Sequence, residues 1–511
     1  MARRSPALLL LILACGFFAA DASADSEKRQ KEDYYELYKV LVDTIDQVER
    51  NYVKEVDRRE LMEAAIEGVL GKLDPYSTYI NPNEYRRFQT TVQSRFGGIG
   101  IQVSVEGGRL TIISPLVGTP AYRAGLLAGD RIVKIEGEST EGITLDEAVR
   151  RLKGEPGTDV TITVIHSGAQ DEVPVTITRE NIHIDTVLGD SRKEDDRWDF
   201  MLKPQQHIGY LRVTAFSRDT AGEMRRALEE LNSAGLRGLI LDLRFNPGGL
   251  LRSAIEVSDL FISQGRIVST SGRNSPEHTW KAEKAGTFEG FPMVVLVNRY
   301  SASASEIVSA CLQDHDRAVI MGERTWGKGS VQNVIELEID PVDKKARSAL
   351  KLTTASYRRP SGKNIHRFAG AKDEDEWGVT PNDGYELKLK PAEIREVLLH
   401  RRQRDIVRSE PVRKVKPDPP DQEPGQPQEK PNKEPEEEPD EEPDAGPSEE
   451  PDEEPGEETN QQPVEAPDEN ADDQSTTEPA EDSPQPEKPA FVDRQLQMAI
   501  DYLSSELARA D

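Results

Sequence analysis

The chain has 511 residues, with 94 acidic against 65 basic side chains and only two cysteines. The acidic excess is concentrated in residues 417–490, which hold 28 acidic and 3 basic residues; the remainder is nearly neutral, at 66 against 62. A near-neutral body removes the electrostatic case for a nucleic-acid binder, and Cys15 with Cys311 excludes a disulfide framework or a cysteine-built zinc cluster.

Arg3 and Arg4 precede an apolar run over 7–20, and Ala22-Ser23-Ala24 follows as a small-residue cleavage signature. Residues 1–24 therefore read as a secretory signal peptide, which implies export to the periplasm or cell envelope. Cys15 leaves lipid attachment open, although Phe17 and Phe18 continue the apolar run past it and favour simple cleavage. In residues 30–92 the spacing predicts helices, with Tyr38, Leu41, Ile45, Val48 and Tyr52 on one stripe. Leu61, Ala65, Ile66 and Leu70 form a second stripe, stopped by Gly71 and the Leu73-Asp74-Pro75 turn. A helical cap or an oligomerisation element is the expected role, so a homo-oligomer is possible.

From residue 95 to 180 the texture changes. Gly97-Gly98-Ile99-Gly100-Ile101 leads into a strand over 101–105, and further strands are expected at 110–113, 131–135, 160–165 and 172–178, with a helix over 145–152. This order resembles a PDZ domain of the bacterial, permuted kind. The resemblance implies that Gly98, Ile99, Gly100 and Ile101 offer backbone N–H groups to a substrate's C-terminal carboxylate, while the peptide adds a strand beside them.

Residues 200–405 alternate apolar strands with helices, which implies a largely parallel sheet. The strand over 238–243 runs into Asn246-Pro247-Gly248-Gly249, that over 293–297 into Ser301-Ala302-Ser303-Ala304-Ser305-Glu306, and that over 318–321 into Gly327-Lys328-Gly329. In such sheets the reactive groups gather beyond the carboxyl ends of the strands. A serine at a strand-to-helix elbow is exposed to substrate, and the first helical N–H groups face the oxygen under attack. Lys328 serves as its base only if burial removes the charge, a shift of roughly three pKa units from about 10.4. By pattern alone, Ser303 with Glu306 reads first as a helix capping box, and Lys328 as a solvated lysine.

The wording decides between these. Ser301 to Glu306, Leu312-Gln313-Asp314, Gly327-Lys328-Gly329-Ser330-Val331-Gln332, Leu241-Asp242-Leu243-Arg244, Asn246 to Gly249, Leu73 to Ser77 and Lys351 to Ala355 resemble the C-terminal processing (tail-specific) serine peptidases. The resemblance runs from about Asp33 to Lys390. It implies an α/β crotonase-like peptidase core with an inserted, β-rich PDZ domain, and a Ser–Lys dyad of Ser303 and Lys328. It further implies that Gln332 orients the lysine, and that the Ala304 N–H with that of Gly248 or Gly249 forms the oxyanion hole. Two departures stand out: Tyr76 replaces a frequent histidine, and Lys153 stands where a basic residue, typically arginine, couples the PDZ helix to activity.

The 417–490 tract, with 18 of the 34 prolines and no aromatic residue, is expected to be disordered. Beyond it, Phe491, Leu496, Ile500, Leu503 and Leu507 recur at helical spacing, giving an amphipathic helix over 491–510 that needs a partner. The expected function is an exported serine endopeptidase acting on proteins or peptides with free, apolar C-termini. The alternative is a non-catalytic PDZ adaptor, and a crotonase-like acyl-CoA enzyme fits poorly with export. No cofactor and no metal are expected; His315 between Asp314 and Asp316 reads as a solvated helix end.

Overall fold

The computed structural model describes residues 35–85, 96–341, 345–407 and 491–511. The signal segment, residues 86–95 and the acidic tract lie outside them. The chain divides into two units, one of residues 1–86 with Val334–Thr353, the other of Arg87–Asn333 with Thr354–Asp511.

The first unit holds helix α1 (35–51), helix α2 (Arg58–Leu70) and strand β1 (Thr78–Ile80). Asp57 caps α2 by accepting from the N–H groups of Arg59 and Glu60. On the predicted stripe of α1, Tyr38, Leu41 and Tyr52 are exposed, and in α2 only Leu70 is buried. The Leu73-Asp74-Pro75 turn is built on the Asp74 carboxylate, which accepts from Tyr76 N, Ser77 N, Ser77 Oγ and Thr353 Oγ1 at 2.7–3.1 Å. Burial alone would raise that carboxyl; the bonds from Ser77, Tyr76 and Thr353 outweigh it and hold the group below its ordinary range. Strand β1 pairs antiparallel with residues 349–351.

In the second unit, β2 (Ile101–Glu106), β3 (Arg109–Pro115), β4 (Arg131–Ile135), β5 (Asp159–Ile165) and β6 (Val173–Thr178) form an antiparallel sheet in chain order. Alternate residues of β5, namely Val160, Ile162 and Val164, are fully buried, as a strand with one solvated face requires. They pack with Ile112, Ile135 and with Ala148 of helix α3 (Leu145–Leu152). Thr144 caps α3 by accepting from Glu147 N. Strand β2 is an edge of the sheet, beside α3.

The core strands β7 (Ile208–Val213), β8 (Gly238–Asp242), β9 (Met293–Val297) and β10 (Val319–Gly322) pair parallel in that order. They are linked through α4 (Thr220–Ser233), α5 (Leu251–Asp259) and α6 (Ala304–Asp314). Every residue of β7, β8 and β9 is buried, because both faces are covered. Leu211, Leu239, Leu241, Val295 and Val297 join one apolar cluster with Leu228, Val257 and Val308 of the helices. Ile208, Tyr210, Ile240, Val294 and Leu296 face the other way, under the C-terminal helix. Two further helices close the unit, α7 (Pro391–Asp405) and α8 (Arg494–Ala510). The sequence reading placed no helix at α7 and no hairpin at Arg266–Gly272 with Ser275–Lys281. The second of those strands is mostly exposed and polar, so neither period marks it.

Candidate active site

Strand β9 ends at Val297, and six residues later the chain enters α6 through Ser303 at φ 53° and ψ −112°. A non-glycine residue at positive φ is held there only by its surroundings. Here the surroundings are the neighbouring serines and two asparagines. Ser301 Oγ donates to Leu243 O at 2.8 Å, and Ser305 Oγ to Asn246 O at 3.0 Å. Ala302 N also donates to Asn246 O, and Asn298 Oδ1 accepts from both Tyr300 N and Phe245 N. The alternating serines therefore fasten the elbow to the turn that follows β8.

That turn carries three positive φ values, at Phe245, Gly248 and Gly249. A Cβ on Gly248 would lie 2.8 Å from the Ser303 Cβ and 3.0 Å from Ala304 N, so only glycine allows this approach. The Gly248 N–H donates to Asn246 Oδ1 at 2.8 Å. Gly249 bridges Phe216 in parallel, with Phe216 N donating to Gly248 O and Leu250 N to Phe216 O. Its own N–H consequently points away from Phe216. Neither that N–H nor the one of Ala304 meets an acceptor among the described residues.

The third segment arrives from β10. Gly327 and Gly329 flank Lys328, and a Cβ on either would strike neighbouring atoms, Arg367 and Trp377 in one case and His366 backbone in the other. Their carbonyls accept from Arg367 N and Tyr357 N at 2.8 Å. Ser303, Lys328 and Gln332 are all buried, at 3, 6 and 4% exposure. The Gln332 amide donates to Ser330 Oγ at 2.8 Å. Trp326 is half exposed beside them.

One carboxylate joins the serine elbow to this third segment. Glu306 Oε2 accepts from Ser303 N and Lys328 N, both at 2.8 Å, and Oε1 accepts from Gly327 N and Thr325 Oγ1. Fully buried, its carboxyl is pushed up to about 7 by burial, against the opposing pull of those bonds from Thr325, Gly327, Ser303 and Lys328. The sequence showed Glu306 only as a helix cap; its reach to Lys328, 22 residues on, has no local signal.

The comparisons bear on this geometry. The Peptidase family S41 pattern matches residues 207–382, a PDZ domain pattern residues 111–165, and the N-terminal domain pattern of the activating protease CtpB residues 17–84. A carboxy-terminal-processing protease of Bartonella bacilliformis is 36% identical over 406 residues, spanning 76% of this chain and 87% of its own. The chain belongs to the carboxy-terminal-processing proteases. It is thus a serine-type peptidase with a PDZ domain. The carboxy-terminal processing protease CtpA of Bacillus subtilis is likewise 36% identical, over 63% of this chain and 65% of its own. Among solved structures, a photosystem II D1 C-terminal processing protease aligns at 27% identity and a TM-score of 0.38, over 69% of this chain and 92% of that one.

In the PDZ domain of the protease, Gly100 sits at φ 80°, where a Cβ would fall within 2.5 Å of the Thr119 side chain. The loop carbonyls are used internally: Ile99 O accepts from Ala121 N, and Gly100 O from Leu116 N and Thr119 Oγ1. The N–H groups of Ile99 and Gly100 meet no acceptor among the described residues. Lys153 is the C-cap of α3. The arginine that reaches this helix end is Arg179, donating to Leu152 O and Arg151 O at 3.1 and 2.9 Å.

Metal-ligating side chains gather once among the described residues, at His183, Asp185 and Glu223 where the chain leaves the PDZ domain. His183 Nε2 lies 2.8 Å from Glu223 Oε1, whose other oxygen accepts from Thr186 and Val187. His315 instead turns a ring nitrogen to Arg266 O at 2.7 Å, and Asp314 is paired with Arg359. No helix of the described residues is long and apolar enough to cross a membrane.

Proposed function

We propose that this protease is exported through residues 1–24 and cleaves with Ser303 as nucleophile and Lys328 as general base. The observation that carries the reading is the shared Glu306 carboxylate, which binds the N–H groups of Ser303 and Lys328 together in a buried pocket. Burial strips an amine of solvent that would stabilise its charged form, which suits Lys328 as a base. Ser303 Oγ attacks the scissile carbonyl carbon while its proton passes to Lys328 Nζ. The oxyanion that forms is met by Ala304 N–H and a glycine N–H; the committed Gly248 N–H favours Gly249 for the second donor. Collapse expels the amine, which takes the proton from Lys328, and water then hydrolyses the acyl-enzyme. Gln332, buried on the strand after the lysine, is assigned to orienting it.

The domains follow as 30–92 helical, 95–180 PDZ, 200–405 a crotonase-like peptidase core and 491–510 a closing helix, with 417–490 as an acidic spacer. In the PDZ domain the open N–H groups of the Gly98–Ile101 loop take a C-terminal carboxylate, and the edge strand β2 takes the peptide. Val105 on β2 and Leu145 on α3, both exposed, favour apolar side chains there.

The test is cleavage of an unfolded protein with an apolar C-terminus, followed by mass spectrometry, for wild type, Ser303→Ala and Lys328→Ala. Cutting by wild type with silence from both variants is expected. Activity in both variants overturns the dyad, and silence in all three, persisting after removal of the PDZ domain, returns the adaptor.

A further inference from the structure

Helix α8 reaches the core across the longest stretch outside the described residues, and its contacts are of two kinds. Leu496, Ala499, Ile500, Leu503 and Leu507 cover the open face of the parallel sheet. The other contact is polar and local. Asp493 Oδ1 and Oδ2 accept from Arg244 Nη1 and Nη2 at 2.9 and 2.8 Å, and Gln495 Oε1 accepts from Nη1 at 3.0 Å. Asp242 takes the remaining three bonds, from Nε at 3.1 and 3.2 Å and from Nη2 at 2.7 Å. Three of the six guanidinium bonds thus come from the start of α8, on an arginine side chain 1% exposed.

Covering the sheet requires only apolar side chains. A buried guanidinium–carboxylate network costs desolvation and offers geometry in return. The geometry falls at Arg244, adjacent to Phe245 at φ 65° and five residues before Gly249. Without Asp493 and Gln495, the guanidinium would keep unsatisfied buried donors, and the strand end would shift to solvate them.

We propose that α8 is a positioning element of the active site: Asp493 and Gln495 grip Arg244 and so hold the 245–249 turn, with its glycine N–H groups, in catalytic shape. The inference rests on the reading of Ala304 and Gly249 as oxyanion donors.

The experiment compares full-length Asp493→Asn with Leu503→Ala, which weakens the same docking through apolar contact alone. Steady-state kinetics are measured where both variants are folded by circular dichroism, along with inhibition by a peptide aldehyde that forms a tetrahedral adduct on the serine. Positioning predicts kcat lower by about 10-fold or more in Asp493→Asn with KM unchanged. Aldehyde affinity falls by the same factor, and Leu503→Ala stays within about twofold of wild type. Should Asp493→Asn fail to fold, Gln495→Ala, which removes one of the six bonds, carries the same comparison. Equal losses in the polar and apolar variants, or a wild-type kcat in the polar variant, overturn the proposal. Activity retained in Ser303→Ala instead overturns the serine assignment beneath it.

Discussion

Ser303 holds a backbone conformation that costs on the order of 1–3 kcal/mol for a residue with a Cβ. Glycine adopts it freely, so Ser303→Gly should be inactive yet more stable than Ser303→Ala by about 1 kcal/mol; urea unfolding of the two variants checks this. Glu306 is the second residue with two duties. Glu306→Gln keeps the shape but replaces one acceptor oxygen with an amide NH2, a donor facing N–H groups that already need an acceptor. We expect kcat to fall roughly 10–100-fold through misplacement of Ser303 and Lys328, measured with a peptide substrate. The pH dependence has a definite sign. The folded carboxyl sits at about 7, above the ordinary 4.5, so its contribution to stability is fully present below 4.5 and is lost as pH rises through 7. Relative to Glu306→Gln, wild type should lose on the order of 3 kcal/mol across that window, read from urea midpoints at pH 4.5 and 8.

At the scale of elements, the PDZ edge strand and its helix form the surface a peptide would join. Val105→Lys and Leu145→Glu alter side chains already exposed, so folding should be unchanged. For substrates with apolar tails we expect KM to rise several-fold at constant kcat, with weaker binding of a C-terminal peptide in fluorescence titration. A peptide amide should bind weakly to wild type and variants alike if, as proposed, the loop N–H groups recognise the carboxylate. The PDZ elements were legible in the sequence because strands such as β3 and β5 alternate and glycines mark the turns between elements. Helix α1 shows the limit of the same method: on the apolar stripe read from its sequence, Tyr38, Leu41 and Tyr52 face solvent. Periodicity reports that a face is apolar and is silent on what, if anything, covers it.

For the whole molecule, the buried Asp242–Arg244–Asp493 network sets an acid limit. Burial would raise both carboxyls, but Arg244 beside them outweighs it and holds Asp242 and Asp493 below their ordinary range. Their stabilisation is therefore present above about pH 4 and lost as pH falls below it. Wild type should lose melting temperature more steeply than Asp493→Asn between pH 5 and pH 3, followed by circular dichroism. Asp242→Asn is expected to cost about 3–5 kcal/mol, because Tyr210, Arg244 and Arg401 all converge on that carboxylate.

The sequence by itself determined the order of the PDZ strands and of the parallel core strands, and it placed Ser303, Lys328 and the glycine turn at or just beyond strand ends. These follow from local physics: apolar period, glycine at positive φ, and the wording of short motifs. The tertiary structure alone decided that Glu306 joins the serine elbow to the lysine loop, that Gly248 spends its N–H on Asn246, and that Asp493 grips Arg244. Each of those contacts pairs residues brought together by folding, over separations from 2 to 249 positions, through hydrogen bonds whose direction no periodicity records.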